Sequence, residues 1–355
     1  MTREIGSEFW LENMPENSIC NSPNFLGEYK NINLTSSGRG AITLLLQQIK
    51  PKRKSALLPA YICESVIIPF IEMCYECNYY EVDENLIPSI KSISEFKDVG
   101  VFLHLGYYGF STNSNLKNVL KSFDENSTII IEDVTHSLFS DYERSKFNHF
   151  YIGSIRKWFG IPSGGFLASK GTLSSKLDEK PSFSEKRLEA LISKKDYIET
   201  GNIELKSRAL SQFSEAENNL DEDFYPYKID SLSYEIINTI NEEELIRKRR
   251  QNYLILYNGL KEIPYLHHPS LPLDENTCPM FFPVLIEKEY RTVVRGKLAE
   301  QGIYCPIHWP VPPQINTDIM DTTKSIYDRI LSIPCDQRYG EEDMERIVTV
   351  LKCIC

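Results

Sequence analysis

Ile130-Ile131-Glu132-Asp133-Val134-Thr135-His136 is the stretch on which the fold turns. With Ile129 it opens on a continuous β-branched run, the pattern of a strand buried on both faces in a mostly parallel sheet. The run ends on a carboxylate, with a histidine three residues beyond it. Open α/β sheets bind ligands past the carboxyl ends of their strands. Asp133 and His136 therefore stand where a site belongs. A carboxylate there suits a cofactor nitrogen that must stay protonated, because the charged ring is then an electron sink. The plainer reading is a helix-capping aspartate beside a structural histidine.

Working outward, residues 35–170 alternate between two periods. Ala41, Ile42, Leu45 and Ile49 share one helix face. Ala56-Leu57-Leu58-Pro59 reads as a buried strand, Ile62 to Met73 as a helix, Tyr79 to Val82 and Val99 to Leu103 as strands, and Leu116 to Phe123 as a helix. Strands alternating with helices predict an α/β fold with a central, mostly parallel sheet flanked by helices. After Gly171 the character changes. Ser184 to Asp221 is polar and helical, and Asp230 to Leu260 reads as one long helix. Pro279 to Ile286 and Ile303 to Ile307 read as strands, Tyr290 to Gln301 as a helix capped by Gly302, and Glu341 to Leu351 as a final helix. This predicts an N-terminal arm over residues 1–30, a large domain over 31–235 and a smaller α+β domain over 236–355.

The 355 residues carry 39 basic and 50 acidic side chains, a formal net charge of -11. That balance speaks against a general nucleic-acid binder, which would show a basic face. Arg247-Lys248-Arg249-Arg250 follows Glu242, Glu243 and Glu244 at helical spacing and reads as a solvated, salt-bridged face. Met1 to Glu16 has no apolar core of a secretory signal, and no apolar run reaches the roughly 18 residues of a membrane span. Nine scattered cysteines without such a signal read as the reduced thiols of a cytoplasmic protein. Cys74 and Cys77 form a CxxC with no second pair, and Cys74 falls in an apolar helical pattern, so no metal site is expected. Cys353 and Cys355 read as a frayed, thiol-bearing tail.

Two further motifs bear chemistry. Ser36-Ser37-Gly38-Arg39-Gly40 precedes a helix and lets backbone N–H groups approach an anion, or is simply a turn with an N-cap serine. Gly153-Ser154-Ile155-Arg156-Lys157-Trp158-Phe159-Gly160, followed by Gly164-Gly165, sets a lysine beside an arginine and two large aromatics. Apolar surroundings and a neighbouring cation lower an amine's pKa and free it as a nucleophile. Ser154 and the arginine could grip the same anion.

The order of these motifs, with Lys157 standing 24 residues after Asp133, resembles the fold-type I pyridoxal 5′-phosphate (PLP) enzymes. The nearest resemblance is to the sugar aminotransferases of the DegT/DnrJ/EryC1/StrS family. Leu57-Leu58-Pro59-Ala60-Tyr61, His104-Leu105-Gly106, Ile307-His308-Trp309-Pro310 and Leu331-Ser332-Ile333-Pro334 look like that family too. The likeness covers roughly residues 30–350.

The resemblance implies a PLP transferase in which Lys157 holds the cofactor as a Schiff base and shuttles the substrate proton. It implies that Asp133 pairs with the ring nitrogen and that His136 lies near the ring or its phenolic oxygen. Gly38, Arg39 and Ser154 would hold the phosphate, and a residue among Tyr61 to Cys63, Tyr61 as the aromatic, would cover a ring face. It further implies a small-molecule amino donor, glutamate, a carbonyl acceptor such as a keto sugar, and a homodimer with shared sites. A lyase, dehydratase or acyl-transfer enzyme on the same fold, or an idle binding homologue, is the alternative. The chain departs from the family at Arg39, where a small residue is usual. It departs again at Ser163, where a glutamate usually precedes the paired glycines, and it has no match to Gly-x-Asn-x-Arg beyond Gly201-Asn202.

Overall fold

The computed structural model describes residues 3–13, 24–27, 29–173 and 176–354. Parts of the stretch read for a leader, at 1–2 and 14–16, lie outside the described residues, as does Cys355. The strands are β1 (Ile5–Gly6), β2 (Ile32–Thr35), β3 (Ser55–Pro59), β4 (Glu76–Tyr80), β5 (Val101–Leu105), β6 (Ile129–Asp133), β7 (Phe150–Gly153), β8 (Gly165–Ser169), β9 (Leu266–His267), β10 (Phe282–Ile286), β11 (Ile303–Tyr304) and β12 (Ile330–Ile333).

Seven of them form the main sheet in the order β2-β8-β7-β6-β5-β3-β4. From β7 through β4 every pairing is parallel. Strand β8 alone runs against its neighbours β7 and β2. Strands β3, β5 and β8 are buried along their whole length, and the first two were read as strands from their apolar runs. All five parallel strands end on the same edge, and Asp133 closes β6, the middle strand of the seven.

Several sequence expectations move. The strand expected at Tyr79 to Val82 is β4, three residues earlier. As the sheet's outer strand it tolerates the polar Glu76 and Asn78, which hid it from a hydrophobicity reading. The strand expected at Val99 to Leu103 runs from Val101 to Leu105. The long helix of Asp230 to Leu260 is two helices, Ser231–Ile237 and Glu242–Leu260. Asn241 ends the continuity by capping the second one, its side chain accepting the Glu244 N–H. Cys74 is not helical; it is exposed, with φ at +60°, in the turn after helix Glu64–Glu72. The strand of Ile303 to Ile307 shortens to β11, which pairs in parallel with β1 and so ties the N-terminal arm to the C-terminal part. Strand β10, expected from Pro279, starts at Phe282 and pairs antiparallel with β12 and β9.

The polar stretch after Gly171 is a helical hairpin, Pro181–Thr200 and Ile203–Glu222. Gly201 makes its turn with φ at +71°, a left-handed conformation that favours glycine. Asn202 caps the second helix through the Glu204 N–H. The core runs without a break from Leu57 and Phe102 in the main sheet to Leu331 and Ile347 in the C-terminal part.

Candidate active site

Asp133 is buried at the end of β6. Its Oδ1 accepts the Thr135 N–H at 2.8 Å. Burial pushes its carboxyl up; hydrogen bonds from Thr135 pull it back and nearby Glu132 adds to the rise. No cationic side chain pairs with it among the described residues. A buried carboxylate in that state has free energy to gain from a protonated ligand nitrogen.

Thr135 escaped the sequence reading and ties the site together. Its Oγ1 accepts the Ser154 N–H at 3.0 Å, and its carbonyl accepts the Trp158 indole N–H at 2.7 Å. Nothing marks it in sequence beyond its place inside Asp-x-Thr-His.

Lys157 ends the 3-10 turn Ile155–Lys157. Gly164 pins that turn by accepting the Ile155 and Arg156 N–H groups at 3.0 and 3.3 Å. The aromatics do not flank the amine as expected. Trp158 and Phe159 are fully buried beneath it against Phe139, and the Arg249 guanidinium lies 4.3 Å over the Trp158 ring. They anchor the turn, while Lys157 itself faces a cavity of ≈220 Å³. Lys157 is exposed there, while its neighbours Arg156 and Trp158 are buried. Burial lowers its pKa first and Arg156 adds to the drop; Glu217, Glu8 and Cys63 oppose it.

The start of helix Gly38–Gln48 borders the same cavity. Ser37 is its N-cap, accepting the Gly40 N–H at 3.0 Å, so the capping reading of this serine is realised. The first intrahelical bond comes from Ala41. The amides of Gly38 and Arg39 therefore precede the ladder and are free to meet an anion. A Cβ on Gly38 would lie 3.1 Å from Ser154 Cβ, which places these two residues side by side. The paired glycines serve the same junction, since a Cβ on Gly165 would sit 2.3 Å from the Ser37 carbonyl group. The side chain of Arg39 is committed elsewhere, to Asp221 and to the Leu220 carbonyl.

His136 lines the cavity with its Nδ1 accepting the Tyr108 N–H at 3.2 Å, which leaves the proton on Nε2. Burial, and then Lys157, push its pKa down to about 3, so the ring is a neutral donor. The Trp309 ring lies 5.3 Å from it, tilted by 31°.

Tyr61 is not among the residues that line the cavity. It is fully buried outside the cavity, with its hydroxyl bonded to Tyr108 at 3.0 Å and to the His308 carbonyl. Its size and the apolar strand before it carry it into the core, and the next two residues, Ile62 and Cys63, line the cavity instead. Ser163 is tied to Asp230, the N-cap of helix Ser231–Ile237, and does not reach the cavity. Asn202 is spent on its cap. His308, Trp309 and Glu217 line the cavity without having been singled out as site residues. The first two sit in a segment already noted for its family likeness; Glu217 carries no sequence signal.

Set against known proteins, residues 239–352 match the model of the DegT/DnrJ/EryC1/StrS aminotransferase family. No curated protein matches the chain by sequence. Among solved structures, PseC of Helicobacter pylori, an aminotransferase involved in the biosynthesis of pseudoaminic acid, superposes with a TM-score of 0.69 at 14% identity, covering 99% of each chain. The aminotransferase TlmJ of Streptoalloteichus hindustanus gives 0.68 at 15%, covering 97% of this chain and 92% of its own. DesV of S. venezuelae gives 0.66 at 15%, covering 93% and 86%. The chain thus has the fold-type I aminotransferase fold over nearly its whole length and resembles the DegT/DnrJ/EryC1/StrS family, whose model it matches in its last third.

Proposed function

We propose that the chain is a PLP-dependent aminotransferase that passes an amino group from a small-molecule donor, glutamate, to a carbonyl acceptor of the keto-sugar kind. The observation that carries this reading is the meeting of Asp133, Lys157 and the start of helix Gly38–Gln48 around one cavity. The residues present fit the cofactor. Lys157 would hold it, Asp133 would keep the ring nitrogen protonated, and His136 would donate its Nε2–H toward the ring. Ser154 and the amides of Gly38 and Arg39 would hold the phosphate. Ile62 and Cys63 replace Tyr61 as the segment against the ring.

When bound, pyridoxal phosphate supplies an electron sink for the substrate carbon. The chain supplies the rest. Asp133, dry and held by Thr135, keeps a positive charge in place. Lys157, with a lowered pKa, takes and returns the substrate proton. The keto-sugar acceptor is favoured by the likeness to PseC, an aminotransferase involved in the biosynthesis of pseudoaminic acid.

We place the protein in the cytoplasm as a homodimer. No described helix is long and apolar enough to cross a membrane, and the described cysteines are free thiols. The test is a half-reaction. With an amino donor the visible absorbance of the cofactor-loaded protein should be lost, and a keto acceptor should restore it. Absorbance that survives a full panel of amino donors would reject transamination, and release of product with the band unchanged would point to lyase chemistry.

A further inference from the structure

We infer that Glu217, supplied by the subunit's own helical hairpin, is a positioning residue that aims Lys157 and keeps its amine able to hold a proton; this rests on the reading of Lys157 given above. Glu217 lies far along the chain, on helix Ile203–Glu222, yet lines the same cavity as Lys157. Its Oε1 accepts from Arg156 at 2.7 Å and from Arg187 at 2.8 Å, and its Oε2 accepts from Arg156 at 3.2 Å. Both guanidinium groups are buried, at 7% and 6% exposure. Arg187 turns its other arm to Glu8, at 3.2 Å. The charges therefore alternate from Glu8 through Arg187 and Glu217 to Arg156, and end beside Lys157.

Arg156 and Lys157 are adjacent residues of one tight turn. A two-point grip on Arg156 fixes the backbone from which Lys157 projects. It also neutralises the cation standing next to the amine. Asp221, one helical turn beyond Glu217, takes Arg39 in the same manner. One helix face thus holds both arginines that line the cavity. Desolvating such a chain of ions makes it a poor source of stability in itself, which argues for a role in the site.

The groups facing Lys157 come from every element around it. Arg156 belongs to its own turn, Glu217 to the hairpin, Glu8 to the N-terminal arm and Cys63 to the loop before helix Glu64–Glu72. His136 and His308 approach from the ends of β6 and β11, and Asp133 and Arg39 complete the wall. Among the described anions, Glu217 alone is joined directly to the lysine's turn. Burial pushes its carboxyl up, but Arg156, Lys157 and Arg187 outweigh that and hold it well below the usual carboxylate range. It therefore stays charged wherever the enzyme works.

The experiment titrates Lys157 in the full-length, cofactor-free chain. Acetic anhydride is applied across pH, and peptide mass spectrometry reads the acetylation of that lysine. Glu217→Gln should lower the midpoint by about one pH unit or more, a tenfold loss of proton affinity, while Glu217→Asp should stay near the parent protein. A folded Glu217→Gln protein whose Lys157 titrates like the parent would overturn the inference. If that variant does not fold, Glu8→Gln decides. Its carboxylate is 44% exposed and reaches only the far arm of Arg187, and its loss should shift the midpoint the same way by less; no shift would overturn the inference. PLP fixed on a lysine other than Lys157 would instead defeat the functional reading and leave the titration result intact.

Discussion

Asp133→Asn exchanges one oxygen for a nitrogen of nearly the same size and separates the charge of this residue from its shape. The amide keeps an oxygen for the Thr135 N–H, which lies 2.8 Å from Oδ1 in the parent protein, so the loop to His136 should hold. What is lost is the buried negative charge. Burial raises the Asp133 pKa above its unfolded value, so in the cofactor-free protein this group's stabilising contribution is present at low pH and falls as pH rises through its folded pKa. The variant has no such loss and should melt no lower than the parent without cofactor at neutral pH. Cofactor binding should reverse the order. A hydrogen bond to a charged partner is worth ~1.5–3 kcal/mol, so the variant should bind PLP about 10- to 150-fold more weakly. It should gain correspondingly less thermal protection from the ligand. Turnover should fall by orders of magnitude as the electron sink weakens. The assay is a visible-absorbance titration with PLP, with melting curves in its presence and absence. A variant with parental affinity and near-parental turnover would refute the role given to Asp133.

Gly165→Ala would press a methyl group into the Ser37 carbonyl at 2.3 Å, so it should cost ~1–3 kcal/mol and weaken the cofactor's grip together. Melting and cofactor titration measure both, and an unchanged pair would contradict the close approach. His104 and His136 are buried and His308 half-buried, all three with folded pKa values below their unfolded 6.5, that of His136 at about 3. Their contribution is full above about pH 6.5 and is lost as pH falls from there toward 3. Unfolding within that window should therefore take up protons, and calorimetry that finds no uptake would speak against three neutral rings. Light scattering of the cofactor-loaded protein should give the mass of a dimer, whereas a fully active monomer would sink the dimer assignment.

The large features were legible because they rest on one physical signal each. The unbroken apolar runs of β3, β5 and β6 announce strands buried on both faces, and the strand-end rule then isolates Asp133 and His136. Lys157 was legible from its neighbours, though not as they lie: Trp158 and Phe159 pack in the core beneath the turn, and burial followed by Arg156 lowers the pKa of the amine. Strand β4 was displaced because its position at the sheet's edge permits polar residues. Tyr61 was chosen for its aromatic ring, but a short segment leaving a buried strand sends its first large side chain inward and its next two residues to the cavity. Glu217 was out of reach of any local pattern. It meets Lys157 only after the hairpin folds back on the sheet, and an acidic residue on a polar helix looks like any solvated one.

Attachment of the cofactor is the most direct test of the central claim. The purified protein, loaded with PLP, should absorb in the visible. Borohydride should abolish that band and leave the cofactor's mass on the peptide that contains Lys157, and Lys157→Ala should show neither the band nor the label. A label on any other lysine, or a visible band that persists in the Lys157→Ala protein, would contradict the account.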